Sequence, residues 1–204
     1  TRLRCDWSSD VCSSDLKDRS YAARAIDYNG DGLVDIAVAN DRQQSRVYLR
    51  NLRGNYAPGP AIGSATQNTR NLTIADLNGD KRPDILIANR RAANFIYYNS
   101  DKGDLVNGQV LGSGADSTID IAIGDLNGDK KPDAVLANRD GQPNAIYLNA
   151  GGKKFGKAIA YGTGRDNTRS VALGDMNGDG HLDIIAANVG QPNRVFFKIG
   201  RAHV

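Results

Sequence analysis

The chain has 204 residues, a formal net charge of +3 and 40% hydrophobic residues, enough for a domain with its own core. Its basic residues are scattered rather than gathered, which argues against a nucleic-acid partner, and no stretch approaches the apolar length of a membrane helix. Every acidic residue is Asp, and a chain rich in Asp, Asn, Gly and Thr favours turns and strands over helices.

The two ends read differently from the rest. Residues 10–15, Asp-Val-Cys-Ser-Ser-Asp, can be written GAC GTG TGC TCT TCC GAT. The reverse complement translates as Ile-Gly-Arg-Ala-His-Val, which is residues 199–204. Natural termini are not antisense copies of each other, so residues 1–16 and 199–204 are read as translated sequencing adapter and set aside. Cys5, Cys12 and Trp7 fall in the leading segment, and His203 in the trailing one. The remaining stretch, 17–198, has no cysteine and a single histidine, His181. Disulfide chemistry and a cysteine-based zinc site are thereby excluded from it. A signal peptide or anchor beyond this stretch is compatible with the reading.

Four repeats follow in chain order. The first opens with the short apolar run "AARAID", reaches "DYNGDGLVD" at Asp27, and continues as "DIAVAN", "RVYLRN" and, after a Gly turn, "YAPGPAIG". The second has "NLTIAD", "DLNGDKRPD" at Asp76, "DILIAN", "NFIYYN" and "LVNGQVLG". The third has "DIAIGD", "DLNGDKKPD" at Asp125, "DAVLAN", "AIYLNA" and "FGKAIAYG". The fourth has "SVALGD", "DMNGDGHLD" at Asp175, "DIIAAN" and "RVFFKI". The motif Asp residues lie 49, 49 and 50 residues apart. Short Val-, Ile- and Tyr-rich runs bounded by Gly, Asn and Asp are strand signals, and four of them per repeat at this period describe a β-propeller blade. The expected fold is all-β, with four-stranded antiparallel blades at about 21–69, 70–118 and 119–168 and an incomplete one at 169–198. A β-helix or a pair of small sandwiches fits less well, because its turns would recur more often. The second run of each repeat is almost continuously apolar, as expected for a strand covered on both faces.

The motif concentrates oxygen donors in one turn. Asp, Asn, Asp and Asp occupy positions 1, 3, 5 and 9: Asp27, Asn29, Asp31 and Asp35; Asp76, Asn78, Asp80 and Asp84; Asp125, Asn127, Asp129 and Asp133; Asp175, Asn177, Asp179 and Asp183. Position 7, held by Leu33, Arg82, Lys131 or His181, can add its backbone carbonyl. Such a donor set suits a hard cation, and calcium above all, with up to one Ca2+ per loop. It is no EF-hand: position 12 is Val38, Ile87, Leu136 or Ala186, not Glu, and a strand follows the loop. Position 6 is Gly32 or Gly180 in the outer copies and Lys81 or Lys130 in the middle ones. If that position needs a left-handed backbone, lysine suits it less well, and the first and fourth loops should bind at least as tightly as the others. The alternative is an Asx-rich turn that holds no metal.

The pattern D-x-N-G-D-G-x-x-D, preceded by "TRSVALGD" and followed by "GQPNRVFF", resembles the FG-GAP-like repeats, also called VCBS repeats. The resemblance implies a calcium-binding propeller blade of the kind found in integrin α-subunit heads and in secreted bacterial proteins. It implies metal ligation at the positions above, an extracellular, periplasmic or cell-surface setting, and a ring of about seven blades, of which this chain would be a fragment.

Other recurring columns have plainer readings. Asn40, Asn89, Asn138 and Asn188 close the second run, and Asn94, Asn144 and Asn193, with Ser45 in the first copy, recur beyond it; turn capping is preferred over sugar binding. Arg70 and Arg169 are expected to pair with nearby Asp. Tyr48, Tyr97, Tyr147 and Phe196, and likewise Tyr56, Leu105 and Phe155, are read as core between blades. The His181 imidazole is expected to be exposed. No residue breaks the repeat symmetry, and general acid–base and nucleophile options are few. The expected function is a non-catalytic repeat module for adhesion, glycan binding or protein interaction. The alternative is the propeller portion of a secreted polysaccharide-degrading enzyme whose catalytic residues lie elsewhere.

Overall fold

The computed structural model describes residues 18–198. The segments read as adapter therefore lie outside the described residues. No helix of the described residues is long and apolar enough to cross a membrane.

All regular structure among the described residues is β. The first sheet contains β1 (Ser20–Ile26), β2 (Asp35–Asn40), β3 (Ser45–Arg50) and β4 (Tyr56–Ile62), in that order and antiparallel. The second repeats it with β5 (Thr69–Ala75), β6 (Asp84–Asn89), β7 (Asn94–Asn99) and β8 (Leu105–Leu111). The third uses β9 (Thr118–Gly124), β10 (Asp133–Asn138), β11 (Asn144–Tyr147) and β14 (Ile159–Tyr161). A small hairpin, β12 (Asn149–Gly151) with β13 (Lys154–Phe155), interrupts it before the last strand. The fourth sheet stops at three strands: β15 (Thr168–Gly174), β16 (Asp183–Asn188) and β17 (Arg194–Phe196). These are propeller blades, three with four strands and one with three. Strand β5 packs against β1 and β9, and β9 against β15, so the first strand of each blade lies innermost.

The same register shift recurs near the start of each first strand, skipping Tyr21, Arg70 and Arg169 in blades 1, 2 and 4 and Ile119 in blade 3. A bulge of this kind re-aims the side chains beside it. Three apolar clusters then fill the spaces between blades. Blades 1 and 2 share Tyr28, Ala37, Val47, Leu72, Ile85 and Tyr97; blades 2 and 3 share Leu77, Leu86, Tyr98, Ile121, Leu136 and Tyr147; blades 3 and 4 share Leu126, Val135, Val171 and Ile184. Side chains of this size contribute about 1.5–3 kcal/mol each when fully buried. The interior strands β6 and β10 are buried along their whole length, as a strand covered on both faces must be. Strands β2 and β16, in the end blades, alternate or fray toward solvent.

Recurring polar columns hold this frame. Asn40, Asn89, Asn138 and Asn188 donate from Nδ2 to the carbonyls of Gln44, Ala93, Pro143 and Pro192 across the tight turn. Their Oδ1 atoms accept the hydroxyls of Ser20, Thr69, Thr118 and Thr168 on the first strand. Asn94 and Asn144 reach across to Thr118 and Thr168 of the next blade, both at 2.9 Å. These amides cap turns and join blades.

Candidate metal centre

Each motif loop connects the first and second strands of its blade, at one end of the propeller. Position 1 organises the turn. In the first loop the N–H groups of Gly30 and Asp31 donate to Asp27 Oδ1 at 2.9 and 3.1 Å, and Gly32 N–H donates to Oδ2 at 2.9 Å. Asp76, Asp125 and Asp175 accept the corresponding three N–H groups in their own loops. In the fourth loop the Gly180 N–H, followed by those of Gly178 and Asp179, holds the Asp175 carboxyl below the ordinary carboxylate range. Position 3 accepts from the N–H of position 5 in every copy, and position 5 accepts from the N–H of position 7.

The backbone explains the glycines. Position 4 is left-handed in all four loops, with φ of 75, 84, 80 and 77° at Gly30, Gly79, Gly128 and Gly178. A Cβ at these positions would meet nothing within 4 Å, so the demand is conformational and not steric. Position 6 is left-handed too: Gly32 and Gly180 at 82 and 80°, Lys81 and Lys130 at 67 and 66°. The two lysines therefore carry a backbone strain of about 1–2 kcal/mol each that the glycines avoid.

Position 9 stands apart from the other three. Asp35, Asp84, Asp133 and Asp183 are fully buried at the start of the second strand. One oxygen of each accepts the N–H of loop position 2, from Tyr28, Leu77, Leu126 or Met176. The other accepts the N–H at the end of the third strand or just after it, from Arg50, Asn99, Asn149 or Lys198. The carboxylate thus ties the loop to the far side of its own blade. Burial raises the Asp84 pKa from 3.8 to about 6 despite those two bonds, and Asp80 and Asp76 add to the rise. Asp133 is raised by burial in the same way, with Asp129 and Asp125 adding. The acidic groups of one loop therefore repel each other.

Loop position 2 is also clamped by the next blade. Asn99 Nδ2 donates to the Tyr28 carbonyl at 3.0 Å, and Asn149 Nδ2 to the Leu77 carbonyl at 2.9 Å.

The middle loops carry a feature that reading the motif did not reveal. Arg82 Nη2 lies 2.6 Å from Asp80 Oδ2, and Lys131 Nζ lies 3.0 Å from Asp129 Oδ2. Position 7 thus supplies a built-in cation in loops 2 and 3, where loop 1 has Leu33 and loop 4 has His181, exposed as expected. A second missed feature is a polar string across the inner strands. Arg24 donates to Asn71 Oδ1, Asn71 to Asp120 Oδ1, and Ser170 to Asp120 Oδ2. Ala22, Asn71, Asp120 and Ser170 share one repeat column, so this is the symmetry-breaking position that the sequence reading held to be absent. Comparing the four copies column by column exposes it. Asp120 also accepts the N–H groups of Ile121 and Val171, so it is fully engaged in joining blades. Arg70 pairs with Asp41 at 3.5 Å and stacks over the Tyr21 ring at 4.2 Å, whereas Arg169 lies exposed.

The FG-GAP-like repeat profile matches residues 27–87, 76–136 and 125–186. The chain belongs to the FG-GAP-like repeat family. Each match runs from one acidic loop into the second strand of the following blade, so the unit that recurs in these FG-GAP-like repeats includes a blade-to-blade junction. No curated protein matches the chain. Among solved structures it is similar to a chain in a crystal structure of BBS1N in complex with ARL6DN, soaked with lead. That match has a TM-score of 0.56 at 13% identity, covering 83% of this chain and 52% of the other. It supports the fold alone, and this chain spans about half the length of that one.

The donor chemistry of the FG-GAP-like loops fits a calcium ion. Each offers two exposed or half-exposed carboxylates and an amide oxygen in one turn, all hard oxygen donors, and a carboxylate oxygen that accepts one N–H keeps a second lone pair. Among the described residues no three His, Cys, Asp or Glu side chains are gathered tightly enough to form a ready-made metal cage. An ion entering the loop would have to draw position 5 away from Asn29, Asn78 or Asn177, which hold it at 2.9–3.0 Å in three of the loops. In loops 2 and 3 it would also compete with Arg82 and Lys131.

Proposed function

We propose that this chain is a calcium-binding, non-catalytic propeller module acting outside the cytoplasm in adhesion, glycan binding or protein interaction. The observation that carries the reading is the fourfold recurrence of one turn: Asp, Asn and Asp at positions 1, 3 and 5 face solvent or the loop, and a buried Asp at position 9 ties that turn to the blade. Asp27, Asn29 and Asp31, with the Leu33 carbonyl, would hold the ion in loop 1; Asp175, Asn177 and Asp179, with the His181 carbonyl, in loop 4. The corresponding residues of the middle loops would bind more weakly, because their own basic side chains already neutralise Asp80 and Asp129. The ion supplies positive charge where the chain has set carboxylates against one another. The chain itself supplies the turn, through left-handed glycines and the buried position-9 anchor.

The role is structural on this reading. Each loop joins the first two strands of a blade, and in loops 1 and 2 it is held by an amide of the next blade. Calcium would then stiffen the junctions on which any ligand-binding surface is built. Equilibrium dialysis of the whole chain against calcium tests this. The expected result is binding at loops 1 and 4, removed by Asp31→Ala together with Asp179→Ala, with magnesium failing to compete. Absence of calcium uptake by a folded chain would refute it.

A further inference from the structure

The acidic loops occupy one end of the propeller. The turns between second and third strands, and the connections from each blade to the next, occupy the other. In blades 1 to 3 these are residues 41–44, 63–68, 90–93, 112–117, 139–143 and 162–167. Each flanks a seam between two blades of the chain. Their cations are Arg42, Arg90, Arg91, Arg139 and Arg165, and none is lysine. Lys81, Lys102, Lys130, Lys131, Lys153 and Lys154 all belong to the acidic-loop end. Scattered along the sequence, the arginines are gathered by the fold.

The carboxylates of these turns are already engaged. Asp116 and Asp166 accept both the N–H and the hydroxyl of Ser113 and Thr163 inside their own turns. Asp140 is met by Arg139 Nε at 2.9 Å, Arg90 Nη2 at 3.1 Å and Arg91 Nε at 3.8 Å, and it accepts the Ser117 hydroxyl. One carboxylate thus faces three guanidinium groups at the seam of blades 2 and 3, and positive charge is left over. At the seam of blades 1 and 2, the buried Asp41 faces Arg42 and Arg70, both at 3.5 Å, too long for a charge-assisted hydrogen bond.

Arg42 and Arg91 share one column of the turn, and their side chains are 63% and 71% exposed. Their backbone is left-handed, with φ of 54 and 57°, a conformation that glycine adopts freely and arginine does not. Gly190 fills the same column in blade 4 at 69°. The turn therefore closes without an arginine, yet two successive blades carry one outward at that position. A guanidinium is a planar fork matched to a carboxylate, and Asp140 shows the fit at this face. None of the six turns exposes a large apolar or aromatic side chain. The centre of a protein–protein contact is built from such residues, and nucleic-acid bases stack on them. A hydrophilic chain that carries carboxylates at intervals needs neither.

We propose that this end binds an acidic polysaccharide, a polyuronate whose carboxylates pair with Arg42 and Arg91 on successive blades. The proposal rests on the glycan-binding reading above but uses no loop residue, so calcium uptake and this binding can fail separately.

Isothermal titration of the whole chain with hyaluronan, a glucuronate polymer, tests it at constant calcium. Binding that weakens as salt rises is expected, with none to uncharged dextran. Arg42→Gln together with Arg91→Gln should weaken binding about tenfold or more. Arg53→Gln, which removes an exposed charge at the acidic-loop end, should leave it unchanged. Arg42→Gly together with Arg91→Gly separates binding from folding: binding should fall while the melting temperature holds or rises, because glycine relaxes the left-handed positions. A folded chain that does not bind hyaluronan overturns the proposal. An equal loss with Arg53→Gln would show general attraction to a cationic chain and would overturn it too. Tighter binding of an Asp/Gly peptide of matched charge spacing would assign the face to an acidic protein segment, with the same consequence.

Discussion

Blades 2 and 4 are written in the same pattern and live in different surroundings. Strand β6 of blade 2 is enclosed on both faces, whereas β16 of blade 4 is enclosed on one. Their loops differ in another way: loop 2 carries Lys81 at a left-handed position and Arg82 on Asp80, where loop 4 has Gly180 and His181. The apolar columns follow the repeat whether or not a neighbour covers them. The loop columns vary while the turn they build stays the same.

Removing apolar volume should separate the blades most sharply. Leu86→Ala should cost about 2–5 kcal/mol, since a fully buried site cannot collapse around the gap. Ile185→Ala, in the same column of blade 4, should cost about 1 kcal/mol or less, because that side chain already meets water. Denaturant melts of the two variants give both numbers, and equal losses would mean that blade 4 is covered in solution.

Next in size is the position-9 anchor. Asp84→Ala strands the N–H groups of Leu77 and Asn99 in a dry site, at about 1–3 kcal/mol for each. Asp183→Ala should be milder, because the Met176 side of its loop is open to solvent. The same carboxylate gives a pH signature. With Asp84 raised from 3.8 to about 6, the native state keeps a proton that the unfolded chain has released between those values. Its contribution to stability therefore falls as pH rises through that window. Asp84→Asn should flatten this segment of a stability–pH curve measured without calcium.

Smaller effects sharpen the comparison between loops. Lys81→Gly should stabilise the chain by up to about 1 kcal/mol by relieving a left-handed lysine, while Gly180→Lys should do the reverse in loop 4. Arg82→Gln removes a half-exposed ion pair worth about 0.2–1 kcal/mol and should raise the calcium affinity of loop 2 toward that of loop 4. Calcium titration of the variant shows whether the built-in cation was competing.

Most of the fold was legible because the repeat samples each position four times. The alternation of Gly- and Asn-bounded runs marked the strands; the apolar second runs, read in every repeat as strands covered on both faces, are so at Asp84–Asn89 and Asp133–Asn138 but not at Asp35–Asn40 or Asp183–Asn188, which lie in the end blades. Tyr97 and Tyr147 lie between blades as their column suggested. The extra hairpin at Asn149–Phe155 was not foreseen, since Gly151 and Gly152 resemble an ordinary turn. The site was legible in its donors and not in its partners. Nothing in "NGDKRPD" says that Arg82 folds back on Asp80, nor that Asp84 spends both oxygens on backbone. Such bonds depend on side-chain direction and on the neighbouring strand. The polar string from Arg24 to Ser170 was missed because recurring residues drew the reading, and its members lie in columns whose residues do not recur.

The most direct test is a thermal melt of the whole chain in calcium, in magnesium and in EDTA. Binding to the native state alone stabilises by about 2.7 kcal/mol per site at one hundred times the dissociation constant. A reversible rise in melting temperature with calcium, unmatched by magnesium and undone by EDTA, is the predicted result. A cooperative melt indifferent to all three would contradict it and leave the four acidic loops as metal-free turns.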